Sequence, residues 1–402
     1  MQTTPPTNSL PKLKIKKHQE VRISCGHPWI FSNEIENFSE IKALEKGSIV
    51  EVCVRNNEPF ALAYFNPHSL IAGRILTYKL SEKIDENFFF NRITAAKNLR
   101  EKFFDKPFYR LIHSEADFLP GLVIDRFDNV LSCQIATAGM EKLTPILLSV
   151  LERIFPNSVV VFRNDIESRK YEGLEQYSKA VKGEIADEIE IEENNIKYAI
   201  DVIRGQKTGW FFDQRTNREF IGSISKDADV LDTFCYQGGF GLNALKHGAK
   251  SVTFADSSKE ALEKLEKNIA INGFDKEKTE IICDKIFDLL EGKKLQDRKF
   301  DIVVLDPPAF IKSKKDFFSG LKGYEKLIKM SAGLVKKGGI LLLASCSHNA
   351  SIQDLTAAAN DGFRKARRSA KIIRTFGGGF DHPINPALKE SEYLKSITFL
   401  VE

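Results

Sequence analysis

The sequence LLLASCSHNAS (residues 341–351) places one thiol, Cys346, just beyond an apolar run that reads as a buried strand. Upstream, VLDTFCYQGGFG (residues 230–241) and IVVLDPPAFIKSKKD (residues 302–316) read as two further strands, each ending in a polar loop. Side chains at the carboxyl ends of neighbouring parallel strands meet at the binding edge of an α/β sheet. These three endings would therefore bring together a nucleophile, Cys346, a carboxylate that can hold a heterocyclic base, Asp306, and a glycine-containing ligand turn.

Asp306 is followed by Pro307 and Pro308, which fix φ and push the preceding residue out of the helical region. A rigid carboxyl at this point accepts a hydrogen bond from an exocyclic amine or, when protonated, donates one to a ring nitrogen, and Phe310 is placed to stack on the base. A plain strand-ending turn with a capping Asp is the competing reading, and the proline pair argues against it by removing backbone donors that such a turn would use. Cytosine C5 is a poor nucleophile until something adds at C6, and a thiolate is a suitable addend. Cys346 would attack C6, C5 would take a methyl group from S-adenosylmethionine, and loss of the C5 proton would release the enzyme. An ordinary thiol, with a pKa of about 8.5, is only a few per cent ionised at neutral pH, and the sulfonium cation of the cofactor, placed nearby, would favour the thiolate. The competing reading of Cys346 is an inert small hydrophobe, against which stand its polar neighbours Ser345, Ser347 and His348. His348 is a candidate for proton transfer and equally for a surface hydrogen bond; the group that removes the C5 proton is left open.

Glycines 238, 239 and 241 let backbone approach a ligand. The turn is not GxGxxG and no P-loop lysine follows, so a cofactor without a pyrophosphate fits better. Asp256 ends the next strand about 20 residues on, where an acid accepts hydrogen bonds from ribose hydroxyls, and Asp284 ends a third, where it could hold an adenine amine. Both could instead cap the helices that follow. Asp232, Phe234, Tyr236, Gly238, Gly239 and Ser257 complete the expected contacts around this turn, with Asp306 at the cofactor's edge. In GQKTGWFFDQRTNREF (residues 205–220), Lys207, Phe212, Asp213 and Arg215 are candidates to line the methionine end of the cofactor; the alternative is a helix entry with a buried aromatic anchor and Asp213 in a surface pair.

The elements that must position these residues follow from periodicity. Residues 12 to about 80 alternate apolar and polar over short stretches, predicting a small β-rich, barrel-like domain. Lys12, Lys14, Lys16, Lys17 and Arg22 cluster there, just before GHPWIFSNEI. From 81 to 187 the order of patterns predicts a compact α+β domain: a helix over ENFFFNRITAAKNLREKFF, a hairpin turning at Asp128 and Asn129, one helix over MEKLTPILLSVLERIF, then a strand over SVVVFR. EIEIEENNIKYAIDV is a hairpin signal around Asn194 and Asn195. Beyond about residue 205, seven apolar strands alternate with helical patterns, which implies right-handed βαβ units and a mostly parallel sheet. The expected division is 1–80, 81–187 and 188–402.

With 402 residues the chain exceeds one ordinary core. A formal charge of +4 and a pI near 8.5 permit nucleic-acid binding without demanding it. The six cysteines are scattered without a CxxC pair, and no His stands at zinc-finger spacing. Neither a disulfide framework nor a metal site is expected, and a reducing cytoplasm fits. No segment has the pattern of a secretion signal or a bilayer span.

GHPWIFSNEI, GQKTGWFFDQR, DTFCYQGGFG, DPPAF, SCS and the ending FDHPINPALKESEYLKSITF, in this order, resemble the cytosine-C5 ribosomal RNA methyltransferases of the large subunit. The resemblance covers almost the whole chain. It implies an α/β fold with a Rossmann-like class I methyltransferase domain behind an N-terminal PUA-like domain and a central α+β domain, and S-adenosylmethionine as cofactor. It also implies 23S ribosomal RNA, naked or in an assembly intermediate, as substrate, with no membrane partner and a homodimer among the expected assemblies. Cys346 then maps onto the nucleophile and Asp306 onto the DPP acid, with Pro307, Pro308, Phe310 and Lys312 at the substrate. Other cytosine-C5 RNA methyltransferases carry a second cysteine beside the acid; Pro308 stands there, so a two-cysteine mechanism is not supported. Relatives with DPP but no such cysteine methylate guanine, so guanine N2 or N7 methylation by Asp306 is one alternative. A non-catalytic RNA-binding ribosome-assembly factor is another. Lys312, Lys314 and Lys315, and Arg364, Lys365, Arg367 and Arg368, are candidate RNA contacts.

Overall fold

The alternating residues of the amino-terminal region form strands in the computed structural model, which describes residues 10–402. β1 (Lys12–Lys14), β2 (Trp29–Ile30), β3 (Ser48–Val54), β4 (Glu58–Phe65) and β5 (Gly73–Thr77) make one sheet in the order β1-β3-β4-β5-β2. Short helices α1 (Glu20–Ser24) and α2 (Phe38–Ile41) lie in its connections. A lone bridge between Ile15 and Ile35 ties the chain beyond one edge strand to the chain beyond the other.

α3 (Glu86–Arg100) starts at Asp85, whose carboxylate accepts the N–H groups of Asn87 and Phe88 at 2.9 and 3.2 Å and so satisfies donors that the helix itself cannot. A second sheet, in the order β10-β9-β8-β7-β6, contains β6 (Phe108–His113), β7 (Leu122–Phe127), β8 (Val130–Ile135), β9 (Val159–Arg163) and β10 (Ser178–Lys182). The β7–β8 hairpin turns with Asp128 at a φ of 57°. The single helix expected between β8 and β9 is two, α4 (Ala138–Lys142) and α5 (Thr144–Ile154). Pro145 explains the break, because proline is accepted in a first turn but not in a helix interior. A short α6 (Ser168–Tyr171) follows β9.

The chain divides into two compact units. One holds the chain up to Asp187 with Asp201–Trp210 and Phe380–Ser391; the other holds Glu188–Ile200, Phe211–Gly379 and Glu392–Glu402. Shared packing crosses residue 80 inside the first unit: Tyr64 and Leu76 belong to the same apolar core as Phe88, Phe89 and Leu111. The Tyr64 hydroxyl also donates to the Pro120 carbonyl at 2.9 Å. Charge anchors the late segment to this unit. Arg100, fully buried, forks onto Asp117 at 2.7 and 2.6 Å and donates to the Asp381 carbonyl at 3.0 Å. Asp381 in turn accepts the Arg110 N–H at 2.9 Å.

The second unit opens with the hairpin β11 (Ile189–Glu193) and β12 (Ile196–Ile200), turned by Asn194 and Asn195 at φ values of 54° and 58°. Seven strands follow: β13 (Asp229–Thr233), β14 (Ser251–Asp256), β15 (Thr279–Cys283), β16 (Phe300–Leu305), β17 (Val335–Ser345), β18 (Ala370–Phe376) and β19 (Lys395–Val401). They are joined by α7 (Arg215–Ser223), α8 (Gly239–Lys246), α9 (Lys259–Ile271), α10 (Ile286–Glu291), α11 (Phe317–Ala332) and α12 (Ile352–Lys365). The sheet order is β15-β14-β13-β16-β17-β19-β18, parallel except for β19, which runs antiparallel to both neighbours. This is the expected Rossmann-like α/β arrangement. Strand order reverses between β13 and β16, and a ligand binds at the carboxyl ends of strands beside such a reversal.

Candidate active site

At the end of β13, Asp232 is fully buried and accepts the Gly241 N–H at 2.8 Å from the first turn of α8. Its other oxygen has no protein partner. Burial pushes this carboxyl up to about 7; the charges of Asp306 and Asp256 add to the rise, while the Gly241 N–H and the Arg218 guanidinium oppose it. Phe234 and Tyr236 in the following loop both adopt left-handed backbone, at φ values of 54° and 51°. Side chains rarely tolerate that conformation, and it concentrates at ligand sites.

Asp256 secures this loop. One of its oxygens accepts the Tyr236 N–H at 2.9 Å, and the other accepts the Ser258 N–H at 2.8 Å, just past the exposed Ser257. Ser258, not Asp256, caps α9. The two glycines are demanded by packing: a Cβ on Gly238, where φ is 84°, would lie 2.3 Å from Leu265 Cδ1, and one on Gly239 would lie 2.5 Å from Arg218 Nε. Between Tyr236 and Gly238, the Gln237 amide is 1% exposed with neither end partnered by protein. Orphaned polar atoms on Asp232 and Gln237 in one turn fit a polar cofactor, because buried donors and acceptors otherwise find partners. Asp284 is tied differently, to the Lys285 N–H at 2.9 Å and the Lys294 ammonium at 3.0 Å, and that ammonium holds its carboxyl below the usual range.

Residues before β13 divide between the units. Lys207, at a φ of 52°, belongs to the first unit, whereas Phe212, Asp213 and Arg215 belong to the second. Phe212 is wholly buried, with the Arg215 guanidinium 5.0 Å from its ring centre. Arg215 and Arg218 converge on the buried Glu193 at 3.4 and 2.6 Å. Asp213 is not in a surface pair: it is buried and accepts a 2.5 Å hydrogen bond from the Tyr393 hydroxyl.

Asp306 and Cys346 leave adjacent parallel strands. Leu305 of β16 pairs with Leu343 of β17, so Asp306 follows one strand directly and Cys346 follows the other. Cys346 is half-buried between Ser345 and Ser347, both fully buried. The Tyr324 hydroxyl, from α11, lies 2.7 Å from Ser345 Oγ and 2.9 Å from Ser347 Oγ. Ser347 Oγ also accepts the Ile311 N–H at 3.3 Å, linking this turn to the DPP loop. In that loop Pro307 is buried, Pro308 and Lys312 are exposed, and the Phe310 ring lies 4.8 Å from Tyr324 and 6.0 Å from Phe287. His348 is exposed, 5.5 Å from the Tyr393 ring.

Sequence reasoning passed over Gln237, Tyr324, Tyr393 and Lys395. Lys395, at the first position of β19, is 7% exposed and donates to the carbonyls of Ser347 and Tyr393 at 3.3 and 3.2 Å. Periodicity could not single it out, because a lysine opening a strand ordinarily faces water. Tyr324 reads only as part of the apolar face of a helix.

Residues 166–368 match the S-adenosylmethionine-dependent methyltransferase family model, and residues 13–78 match a PUA-like domain. A protein of Aliivibrio fischeri strain MJ11 named ribosomal RNA large subunit methyltransferase I is 38% identical over 385 residues, 95% of this chain and 97% of its own. A protein of the same name from Shewanella denitrificans is 37% identical over 390 residues, 96% of this chain and 98% of its own. Among solved structures, a methyltransferase complexed with SAH superposes with a TM-score of 0.84 at 20% identity, covering 97% of this chain and all of that one. A SAM-dependent methyltransferase from Streptococcus mutans superposes with a TM-score of 0.81, also at 20% identity and the same coverage. At that identity the two structures speak for the fold.

Proposed function

This chain belongs to the family of S-adenosylmethionine-dependent methyltransferases named ribosomal RNA large subunit methyltransferase I, and from that premise we propose that it forms 5-methylcytosine in large-subunit ribosomal RNA. Bound S-adenosylmethionine supplies an electrophilic methyl group. The β13–α8 turn with Asp232, Tyr236 and Gln237, together with Asp256, would hold it.

One observation carries the cytosine reading: Cys346 is half-buried directly after β17, beside the strand that delivers Asp306. Its sulfur adds to C6 and forms a carbon–sulfur bond, which makes C5 nucleophilic. Asp306 holds the amine edge of the base as ring electrons shift. Once C5 has taken the methyl group, which would leave S-adenosylhomocysteine, C5 loses its proton to water and the freed electron pair re-forms the C5–C6 double bond as the sulfur leaves C6 as thiolate. RNA recognition is supported by the PUA-like match at residues 13–78 and by the exposed Lys312, Lys314 and Lys315 beyond the DPP loop.

The test is incubation of the protein and cofactor with ribosomal RNA carrying 5-fluorocytosine, whose C5 has no proton to lose. A covalent RNA adduct on the Cys346 peptide is expected. Absence of an adduct, with label from the cofactor appearing in a methylguanosine, would replace this reading with guanine methylation through Asp306.

A further inference from the structure

Lys395 is the one buried lysine among the described residues. Its Cα partner across β17 and β19 is Ser345, the residue before Cys346, so strand pairing delivers the amine to the turn that carries the thiol. The ammonium donates only to two neutral carbonyls, those of Ser347 and Tyr393, and makes no ion pair with a carboxylate. A charge held out of water needs an opposite charge nearby or it is neutralised. Several titratable or charged groups flank the turn: Tyr324 on α11, Asp306 after β16, His348 after β17, and Glu392, Tyr393 and Lys395 leading into β19. Lys312, in the DPP loop that Ile311 ties to Ser347, is exposed to water, so Lys395 is the buried cation beside the turn.

We propose that Lys395 is a positioning residue whose ammonium is the counter-charge of the Cys346 thiolate, holding the sulfur ready to add to the base. The proposal rests on the reading of Cys346 as nucleophile and adds to it the group that ionises the thiol. The two sites feel each other electrostatically: burial lowers the proton affinity of the Lys395 amine, while Glu392 and an ionised Cys346 raise it. Thiolate and ammonium therefore stabilise one another, and once the sulfur is bonded to C6 the ammonium loses that support.

Alkylation of Cys346 by iodoacetamide, followed peptide by peptide with mass spectrometry from pH 6 to 10, tests this in the full-length protein without RNA. In the wild type the alkylation midpoint is expected below the ordinary thiol value of about 8.5. Lys395→Met should raise it by about one unit, slowing alkylation at pH 7 on the order of tenfold, and Lys395→Arg should restore most of the rate. A midpoint unchanged by Lys395→Met overturns the proposal. Should that variant fail to fold, the wild-type midpoint decides: a depressed value supports the pairing, and one at or above the ordinary thiol range overturns it. The fluorocytosine adduct reports separately on the function. Loss of the adduct with the lysine-dependent midpoint intact sinks the cytosine reading, whereas an adduct formed with no such dependence sinks the pairing alone.

Discussion

The Tyr324 hydroxyl stands 2.7 Å from the Ser345 hydroxyl and so fixes the chain immediately before Cys346 from the side of α11. Its contact with Ser347 at 2.9 Å fixes the chain immediately after. Tyr324→Phe keeps the ring packed against Phe310 and removes only this bridge. Two buried hydroxyls lose a partner, so stability should fall by about 1–3 kcal/mol. Turnover should fall roughly tenfold with the KM for RNA unchanged, because the turn loses its fixed geometry rather than its contact surface. Single-turnover methyl transfer beside urea unfolding checks both; a drop in stability with normal turnover would show that the bridge serves folding alone.

Removing the nucleophile should separate the two enzyme readings. Cys346 is half-buried and ends no core cluster, so Cys346→Ala should fold normally. Formation of 5-methylcytidine should drop on the order of 10³-fold or more, the scale seen when a covalent nucleophile is deleted. Cofactor affinity should stay within about twofold, since the glycine turn lies on a different strand. Nucleoside mass spectrometry of the treated RNA measures the first and calorimetry the second. Full turnover by the variant would make Asp306 the main catalytic group.

The sheet was readable because each strand is a short apolar run closed by a polar loop, and Asp232, Asp256, Asp306 and Cys346 stand at those closures, where the strand pattern put them. What stayed hidden came from across the fold. Lys395 reaches the turn that carries Cys346 because β19 inserts antiparallel beside β17, and no local pattern announces that. Tyr393 reaches Asp213 over 180 residues of sequence. The return of Phe380–Ser391 to the first unit depends on buried charges whose partners, Arg100 and Arg110, lie some 270 residues earlier.

Asp256 joins two loops through two N–H groups, so its removal should act on cofactor binding more than on folding. Asp256→Ala loosens Tyr236, whose left-handed backbone then has less to hold it. Cofactor affinity should fall about 10- to 100-fold, equivalent to roughly 1.4–2.8 kcal/mol. Calorimetric titration with S-adenosylhomocysteine provides the measurement. Unchanged affinity would leave Asp256 as a loop tie only.

Arg100 supports the opposite expectation, a large effect on stability with none on the chemistry. Its guanidinium is fully buried and doubly bonded to Asp117. Arg100→Ala leaves that carboxylate without its cation in a dry interior, a change that costs about 3–5 kcal/mol. Unfolding of the first unit should move to lower urea, and Cys346 alkylation in the second should remain as in the wild type. A loss under about 1 kcal/mol would mean that water reaches Asp117 when the arginine is gone.

Asp232 gives the pH dependence a definite sign. Its carboxyl ionises near 3.8 when exposed and at about 7 in the folded protein, chiefly because burial penalises the charge. Between those values the folded state keeps a proton that the unfolded state has released. This group's contribution is therefore fully present below about pH 4, declines as pH rises, and is gone above about 7, a swing of roughly 4 kcal/mol at most. Asp232→Asn is neutral throughout and its side-chain oxygen can still accept the Gly241 N–H. The variant should match the wild type at the acid end and exceed it in stability at pH 8, with the difference opening between pH 4 and 7. Urea unfolding at one-unit pH steps traces that difference. A flat difference would place the Asp232 carboxylate in contact with enough water or positive charge to ionise normally, and would shift the orphaned-polar argument for the cofactor turn onto Gln237.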